Sequence, residues 1–318
     1  MFSFINNWKN LWHPGGETAE KMPLTEKEPG EPVAYPYPVQ KMQLDATLEI
    51  AYIDEGDRDA NVLLFLHGIG SGIPVWVKNI PVLKKQFRCV ALDLPGHGYS
   101  SKGEFSYTMA FYTGVVLSFI KKASLSQVTL VGHSMGGQIA ILTALKEPGL
   151  ISRLILIAPA GIEPYTPVEK QTLINLMAGV VASGQAFTKN RFNYLVGFCH
   201  NQEAAGELAR HMAFFKADAA AFSKMMLRSV EAMLLESVNH ELTSITQPCL
   251  VLVGRDDKVS PYQYLRGQEF VALIEREATK IPQSKLMVFA PCGHFVQYQR
   301  PKSFNKEVLE FLKEKVIV

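Results

Sequence analysis

A strand-like run, Val128-Thr-Leu-Val131, stops at Gly132-His133-Ser134-Met135-Gly136, and helical spacing resumes at once over residues 138–145. A change from strand to helix within so few residues forces a very sharp turn at Ser134. Glycines flank the serine because a Cβ has no room against the neighbouring backbone in such a turn. The pattern predicts a nucleophile elbow, with Ser134 exposed at the carboxyl end of a buried strand.

Strand-like and helix-like runs alternate along most of the chain. Residues 41–53 show polar and apolar alternation, which predicts an antiparallel ribbon. Continuous apolar runs follow, and such runs are typical of strands covered on both faces. They occupy residues 61–66, 88–93, 128–131, 153–158, 248–253 and 285–289. We therefore expect an α/β fold with a mostly parallel, doubly wound sheet.

The alternation is interrupted once. Residues 162–247 contain no strand-like run, only helical stretches rich in Met, Phe and Ala. Residues 13–38 are rich in Pro, Gly and Glu and have no apolar period. The sequence predicts an N-terminal arm and lead-in (1–38), one core built from residues 39–161 and 248–318, and an inserted helical unit (162–247).

The elbow, the order of strands and the place of the insertion resemble the α/β-hydrolase fold superfamily, whose members commonly carry a helical cap at this point. The resemblance implies a serine nucleophile, a histidine base and an orienting acid. A base is needed because a serine hydroxyl is hardly ionised near neutral pH.

The resemblance also indicates the base and the acid. His294 follows the last predicted strand, where the family has its catalytic histidine. The family spacing of Gly, two residues, Asp, three residues and Pro begins at Gly254 and ends at Pro261, which selects Asp257. Its neighbour Asp256 is the alternative and is expected to be a loop residue. The chain order Ser134, Asp257, His294 is the one typical of this fold.

An oxyanion needs hydrogen-bond donors that are already fixed in place. The N–H of Met135, at the positive end of the elbow helix, is the first expected donor. His67-Gly68-Ile69-Gly70 follows a predicted strand and resembles the family's His-Gly-x-Gly loop. The second expected donor is therefore the N–H of Ile69.

Other motif residues are assigned to the fold. His67, His97 and His133 each neighbour a glycine and are expected to brace loops through hydrogen bonds. Asp93, in Asp93-Leu-Pro-Gly-His-Gly, is expected to accept backbone hydrogen bonds in a sharp turn.

The inserted helices contain the residues that could line an acyl pocket, although such residues also form ordinary core. They are Met177, Phe187, Phe192, Tyr194, Phe198, Met212, Phe214, Phe215, Phe222, Met225 and Met226.

Composition narrows the function further. The chain of 318 residues has 32 basic and 30 acidic residues, a net charge of +2. No basic run exceeds two residues, which argues against nucleic acid as a partner. Four widely spaced cysteines indicate unlinked thiols and a reducing, cytoplasmic location. We expect no cofactor and no metal, because neither a dinucleotide-type glycine motif nor a spaced ligand cluster is present.

Residues 1–12 have bulky apolar side chains at helical spacing. We expect this arm to pack on its own domain or on a second copy of the chain, with an interfacial membrane contact as the alternative. No segment reaches the ~18 apolar residues of a transmembrane helix.

The leading hypothesis is a serine hydrolase of small to medium, mostly apolar carboxylic esters. One alternative is a carbon–carbon bond hydrolase of a diketone or dienoic ring-cleavage product with the same triad. Against it, Ser71 and Phe295 stand where those enzymes usually have Pro and Trp. A second alternative is a ligand-binding receptor with a hydrolase-like pocket.

Overall fold

A computed structural model describes residues 35–182, 199–200, 202–212, 219–260, 262, 265 and 270–314. Eight strands of these residues form one sheet in the order β1-β2-β4-β3-β5-β6-β7-β8. They are β1 (Gln40–Gln43), β2 (Glu49–Glu55), β3 (Val62–Leu66), β4 (Arg88–Leu92), β5 (Val128–His133), β6 (Ile151–Ile157), β7 (Cys249–Gly254) and β8 (Ser284–Phe289).

The sheet is mostly parallel. β2 pairs antiparallel with both β1 and β4, whereas β4, β3, β5, β6, β7 and β8 pair in parallel. Every residue of β3, β5 and β7 is buried, as their continuous apolar runs predict. The predicted α/β class, the parallel sheet and the opening antiparallel ribbon are confirmed.

Helices cover both faces of the sheet. They are α1 (Ile80–Leu83), α2 (Met109–Lys122), α3 (Met135–Lys146), α4 (Pro167–Ala182), α5 (Gln202–Met212), α6 (Ala219–Leu235), α7 (Phe270–Ala278), α8 (Val296–Gln299) and α9 (Pro301–Lys313). Short 3₁₀ helices lie at Ile73–Trp76, Pro148–Leu150 and Asn239–Ser244. Within these described parts of the chain, no helix is both long and apolar enough to cross a bilayer.

The two faces have separate cores because side chains along a strand point alternately to either side. Leu64 and Leu66 of β3 belong to the core that contains Val116 of α2 and Ile139 of α3. The intervening side chains of the same strand belong to the other core. That core includes Leu63, Phe65, Trp76, Tyr298 and Phe304.

The segment between β6 and β7 contains α4, α5 and α6, and α6 packs on α4. The C-terminal end of α6 is linked by hydrogen bonds to α3 and α2, two helices of the core. Gln138 Nε2 donates to the carbonyl oxygens of Met233 (3.2 Å) and Glu236 (2.8 Å). The Glu236 carboxylate accepts from the first N–H groups of α2, those of Met109 and Ala110.

The division into arm, core and cap stays a prediction. Residues 1–34, which include the apolar arm, lie outside the described residues. So do Phe187, Phe192, Tyr194, Phe198, Phe214 and Phe215, together with the side chain of Met212.

All four cysteines are unlinked, as predicted. Cys89, Cys249 and Cys292 are buried, and Cys199 is partly exposed. Burial raises the pKa of the Cys89 thiol to about 12, so it stays protonated and unreactive near neutral pH.

Candidate active site

The turn between β5 and α3 places Ser134 at the carboxyl edge of the sheet. Its φ is 54° and its ψ is −118°, a conformation that non-glycine residues rarely adopt. The surrounding backbone holds it there. Ser134 N donates to the Ile157 carbonyl oxygen (2.9 Å), and the Ser134 carbonyl accepts from Gly137 N (2.8 Å) and Ala160 N (3.1 Å).

The two flanking glycines are required by close backbone approach. A Cβ on Gly132 would lie 2.4 Å from the Gly136 carbonyl oxygen. A Cβ on Gly136 would lie 2.2 Å from the carbonyl oxygen of Leu66, at the end of β3. Both distances are far below van der Waals contact, so the elbow excludes side chains at these positions.

His294 and Asp257 meet beside the elbow, although they follow different strands. His294 Nδ1 lies 2.8 Å from Asp257 Oδ2, and Asp257 Oδ1 accepts from Val259 N (2.9 Å). Both residues are buried, with 6% and 3% of their surface exposed. When the Asp257 carboxylate accepts a hydrogen bond from Nδ1–H, this tautomer of the ring leaves Nε2 as a proton acceptor.

Asp256 has a different environment. Its Oδ2 accepts from Cys292 N (3.0 Å) and lies 3.2 Å from His200 Nδ1. Its side chain is 38% exposed, whereas that of Asp257 is fully buried. The two adjacent acids therefore separate into a loop residue and the partner of His294.

Ser134 and His294 open onto one cavity of about 150 Å³. Its wall is mostly apolar and includes Met177 of α4 and Met226 of α6, both named from the sequence. Met225 instead packs in the core beside Gly96, and Phe222 approaches Gly70. The other lining residues are Ile69, Ala158, Pro159, Ala160, Gly161, Glu163, Tyr165, Leu173, Val230, Met233, Leu234, Ser237, Val259, Ser260 and Phe270.

The loop after β3 passes directly against the elbow. A Cβ on Gly68 would lie 3.0 Å from the Ser134 Cβ, and the next residue, Ile69, lines the cavity. Within the described residues, the N–H groups of Ile69 and Met135 have no hydrogen-bond acceptor. The assignment of these two groups as oxyanion donors stays a prediction.

Buried histidines brace this loop. His67 Nε2 accepts from Leu94 N (2.9 Å), and His97 Nε2 accepts from Gly70 N (3.0 Å). Burial lowers the pKa of His97 to about 4 and that of His67 well below its ordinary value. Both rings are therefore neutral near neutral pH.

His133 lies beneath the site. Its Nε2 donates to the His294 carbonyl oxygen (3.1 Å), and the two rings are 4.7 Å apart. Burial, followed by the nearby His294, lowers the pKa of His133 well below its ordinary value. A neutral His133 thus supports the backbone of His294.

Asp93 stabilises the turn after β4. Its oxygens accept from Ile73 N (2.9 Å), Tyr99 N (2.8 Å) and the Tyr35 hydroxyl (2.9 Å). Burial raises the pKa of this carboxyl group. These hydrogen bonds stabilise the turn, which agrees with the structural role expected of Asp93.

Sequence reasoning missed a polar part of the cavity wall that contains Glu163 and Ser260. Glu163 lies six residues beyond β6, and Ser260 lies three residues beyond Asp257. Because β6 and β7 are parallel neighbours, their carboxyl ends meet at one edge of the sheet. The predicted order of parallel strands could therefore have indicated that Glu163 and Ser260 lie close together. Among the described residues, no group of three His, Cys, Asp or Glu side chains forms a metal site.

The sequence of this chain is similar to those of known proteins. A sequence model of the family described as alpha/beta hydrolase fold matches residues 61–301. The 2-hydroxy-6-oxononadienedioate/2-hydroxy-6-oxononatrienedioate hydrolase 1 of Pseudomonas putida is 28% identical over 302 residues, 91% of this chain and 98% of the relative. The dihydrolipoyllysine-residue acetyltransferase component of an acetoin cleaving system, also from Pseudomonas putida, is 27% identical over 287 residues, 86% of this chain and 69% of the relative.

A solved structure has the same fold. It is a thermophilic esterase from Thermogutta terrifontis, with a TM-score of 0.69 and 23% identity. The similarity covers 87% of this chain and 98% of that chain.

Proposed function

The chain belongs to the alpha/beta hydrolase fold family, and we propose that it is a serine hydrolase of small to medium, mostly apolar carboxylic esters, acting through an acyl-enzyme on Ser134. One observation carries the proposal. Ser134 and His294 face the same apolar cavity, and Asp257 accepts from the far side of the His294 ring. This arrangement supports the roles of Ser134 as nucleophile, His294 as base and Asp257 as orienting acid.

In the first step, Ser134 Oγ attacks the ester carbonyl carbon while His294 Nε2 takes the hydroxyl proton. The carbonyl oxygen becomes an oxyanion, and the N–H groups of Ile69 and Met135 donate to it. The bond from carbon to the alcohol oxygen then breaks, and His294 gives its proton to the departing alcohol. Asp257 stabilises the imidazolium and keeps the ring oriented.

In the second step, His294 takes a proton from water, whose oxygen attacks the acyl carbon. The bond to Ser134 Oγ breaks, Ser134 regains its proton from His294, and the carboxylic acid leaves. Apart from the ester and one water molecule, both steps use only groups of the chain itself.

The cavity supports the substrate class. Its size, about 150 Å³, resembles that of an apolar cavity that holds benzene. Thioether side chains such as Met177 and Met226 adapt to different shapes. Short to medium acyl chains, or a single aromatic ring, fit this space.

The test is turnover of p-nitrophenyl esters from acetate to octanoate. We expect hydrolysis, labelling by a fluorophosphonate, and a loss of about 10⁴-fold or more in Ser134→Ala. The matched control is Ser126→Ala, at an exposed position, which should keep the wild-type rate. Unchanged turnover in Ser134→Ala would refute the proposal, and saturable ligand binding without product would favour the receptor.

The second candidate is cleavage of a carbon–carbon bond, and the similarity to the Pseudomonas putida dienedioate hydrolase favours it. Both candidates use the same three residues. A vinylogous 1,5-diketone separates them, because faster cleavage of this compound than of simple esters would promote the second candidate.

A further inference from the structure

One side of the apolar cavity is polar. Glu163, Tyr165, Ser237 and Ser260 all line it there, and we call this group the Glu163 corner. Three of the four, Glu163, Tyr165 and Ser260, are linked by hydrogen bonds or close polar contacts through Ser260. Glu163 and Tyr165 lie on the loop after β6, Ser260 lies on the loop after β7 that also contains Asp257, and Ser237 follows α6.

The carboxyl group of Glu163 only accepts hydrogen bonds from the protein. Its Oε2 accepts from Gly161 N (3.1 Å), and its Oε1 accepts from the Ser260 hydroxyl (3.0 Å). The backbone N–H of Glu163 itself also interacts with the carboxyl group. These three donors leave one of the roughly four lone-pair positions of the carboxylate unused. The buried group can thus accept a hydrogen bond from a ligand in the cavity.

Glu163 has no compensating cation in the part of the chain that the structure describes. Among the described residues, no Lys, Arg or His lies within ion-pair distance of it. Burial raises the pKa of Glu163, and the charge of Asp257 raises it further. A buried acid in this setting is stabilised by a ligand that donates hydrogen bonds, and most strongly by a ligand that is positively charged.

The same surroundings disfavour an anionic ligand. The described residues that line the cavity include neither Lys nor Arg. A ligand carboxylate there would lose its hydration with no lysine or arginine to pair with among these described lining residues, and it would lie near two buried acids.

We infer that Glu163 is a specificity-determining residue, which makes the cavity select esters whose chain ends in a hydrogen-bond donor, an ammonium or hydroxyl group, and reject those ending in a carboxylate. This inference rests on the proposed ester hydrolysis at Ser134 and names its substrate class. It also gives a reason why a substrate ending in a carboxylate would be a poor one.

The first test uses p-nitrophenyl esters with one hexanoyl chain that ends in a methyl, hydroxyl, ammonium or carboxylate group. For the wild type, we expect kcat/KM to be highest for the ammonium and hydroxyl chains and at least about tenfold lower for the carboxylate chain. A wild-type enzyme that prefers the methyl chain, or accepts the carboxylate chain equally well, overturns the inference without any variant.

The second test is Glu163→Gln, which keeps the size of the side chain and removes its charge. We expect the ratio of kcat/KM for the ammonium chain to that for the methyl chain to fall by about tenfold. Glu275→Gln, at an exposed position of α7, is the matched control and should keep the wild-type ratio. Equal ratios in Glu163→Gln and wild type would show that Glu163 only braces its turn.

Binding separates this inference from the proposed function. Ser134→Ala protein is heated with n-pentylammonium or with pentanoate, and the shift in Tm is measured. We expect the ammonium ligand to raise Tm more than pentanoate does, and Glu163→Gln in the same background to remove the difference. If no ester is hydrolysed and this difference is still seen, the hydrolase proposal fails while the inference on Glu163 stands. If neither ligand changes Tm, the inference fails.

Discussion

The cavity is bounded by two regions that are built in different ways. The loops at the carboxyl edge of the sheet are fixed by backbone contacts, as at Gly136, where a Cβ would lie 2.2 Å from the Leu66 carbonyl oxygen. The helices between β6 and β7 contribute side chains. At Gly179, on α4, a Cβ would meet nothing within 4 Å.

The difference separates chemistry from selectivity. A proposed nucleophile, base and oxyanion donor need fixed positions within fractions of an ångström, which backbone hydrogen bonds and excluded Cβ atoms provide. The apolar wall needs only volume and shape, which Met177 and Met226 provide with flexible side chains. We therefore expect substitutions in the two regions to have effects of different kinds and sizes.

The largest effect should come from Gly136→Ala. The added Cβ would collide with the backbone oxygens of Leu66 and His67, which cannot move without shifting β3. We expect a loss of roughly 3 kcal/mol or more in the free energy of unfolding, and no ester turnover. Gly179→Ala, in the exposed part of α4, should instead stabilise by roughly 0.5–1 kcal/mol. Urea unfolding and ester assays measure both, and equal losses in both variants would contradict the distinction.

The next effect compares two neighbours in one loop. Asp257→Asn places an amide donor against His294 Nδ1, which favours the wrong tautomer of the ring, so kcat should fall by about 10³- to 10⁴-fold. Asp256→Asn changes only contacts to Cys292 and His200, and we expect a loss of less than about tenfold. Steady-state kinetics of both variants test the assignment of Asp257 as the orienting acid. A larger loss of kcat in Asp256→Asn than in Asp257→Asn would reverse that assignment.

The sequence predicts the two regions unequally, because one is fixed by backbone contacts and the other is built from helix side chains. The parallel sheet was predictable because strands buried on both faces need continuous apolar runs, such as Leu63-Leu-Phe65. The meeting of Asp257 and His294 was expected from a family spacing, and their distance of 2.8 Å agrees with it. Their catalytic roles, like that of Ser134, stay predictions.

The cavity wall was much harder to predict. Met225 and Met226 are adjacent on α6 and equally apolar, yet only Met226 lines the cavity. Neighbours on a helix point about 100° apart, so the outcome depends on the rotation of α6 against the sheet. Glu163 was missed because its surroundings come from two loops that are 97 residues apart in sequence.

Substitution of these two methionines should leave the proposed chemistry in place and have effects of two different kinds. Met225→Ala removes a core side chain that packs beside Gly96 and Ser229, so we expect about 2–5 kcal/mol lower stability. Met226→Ala enlarges the cavity beside Gly70. It should raise the ratio of kcat/KM for octanoate to that for butyrate esters by about tenfold. Urea unfolding measures the stability of both variants, and the ester series measures their chain-length preference. A change of chain-length preference in Met225→Ala alone would contradict the assignment of Met226 to the cavity wall.

The smallest effect concerns the brace of the oxyanion loop, and it depends on pH. The pKa of His97 is about 4 in the folded chain and 6.5 ordinarily, so the unfolded chain binds a proton in this window that the folded chain does not. The free energy of unfolding therefore falls as pH is lowered from 6.5 toward 4, by about 1 kcal/mol per pH unit from this group.

His97→Gln keeps an acceptor for Gly70 N and a donor for Pro95 O but does not titrate, so its slope should be shallower by that amount. His240→Gln, at an exposed histidine, should keep the wild-type slope. Urea unfolding across this pH window gives the three slopes, and a wild-type slope in His97→Gln would mean that His97 does not stay neutral in the fold.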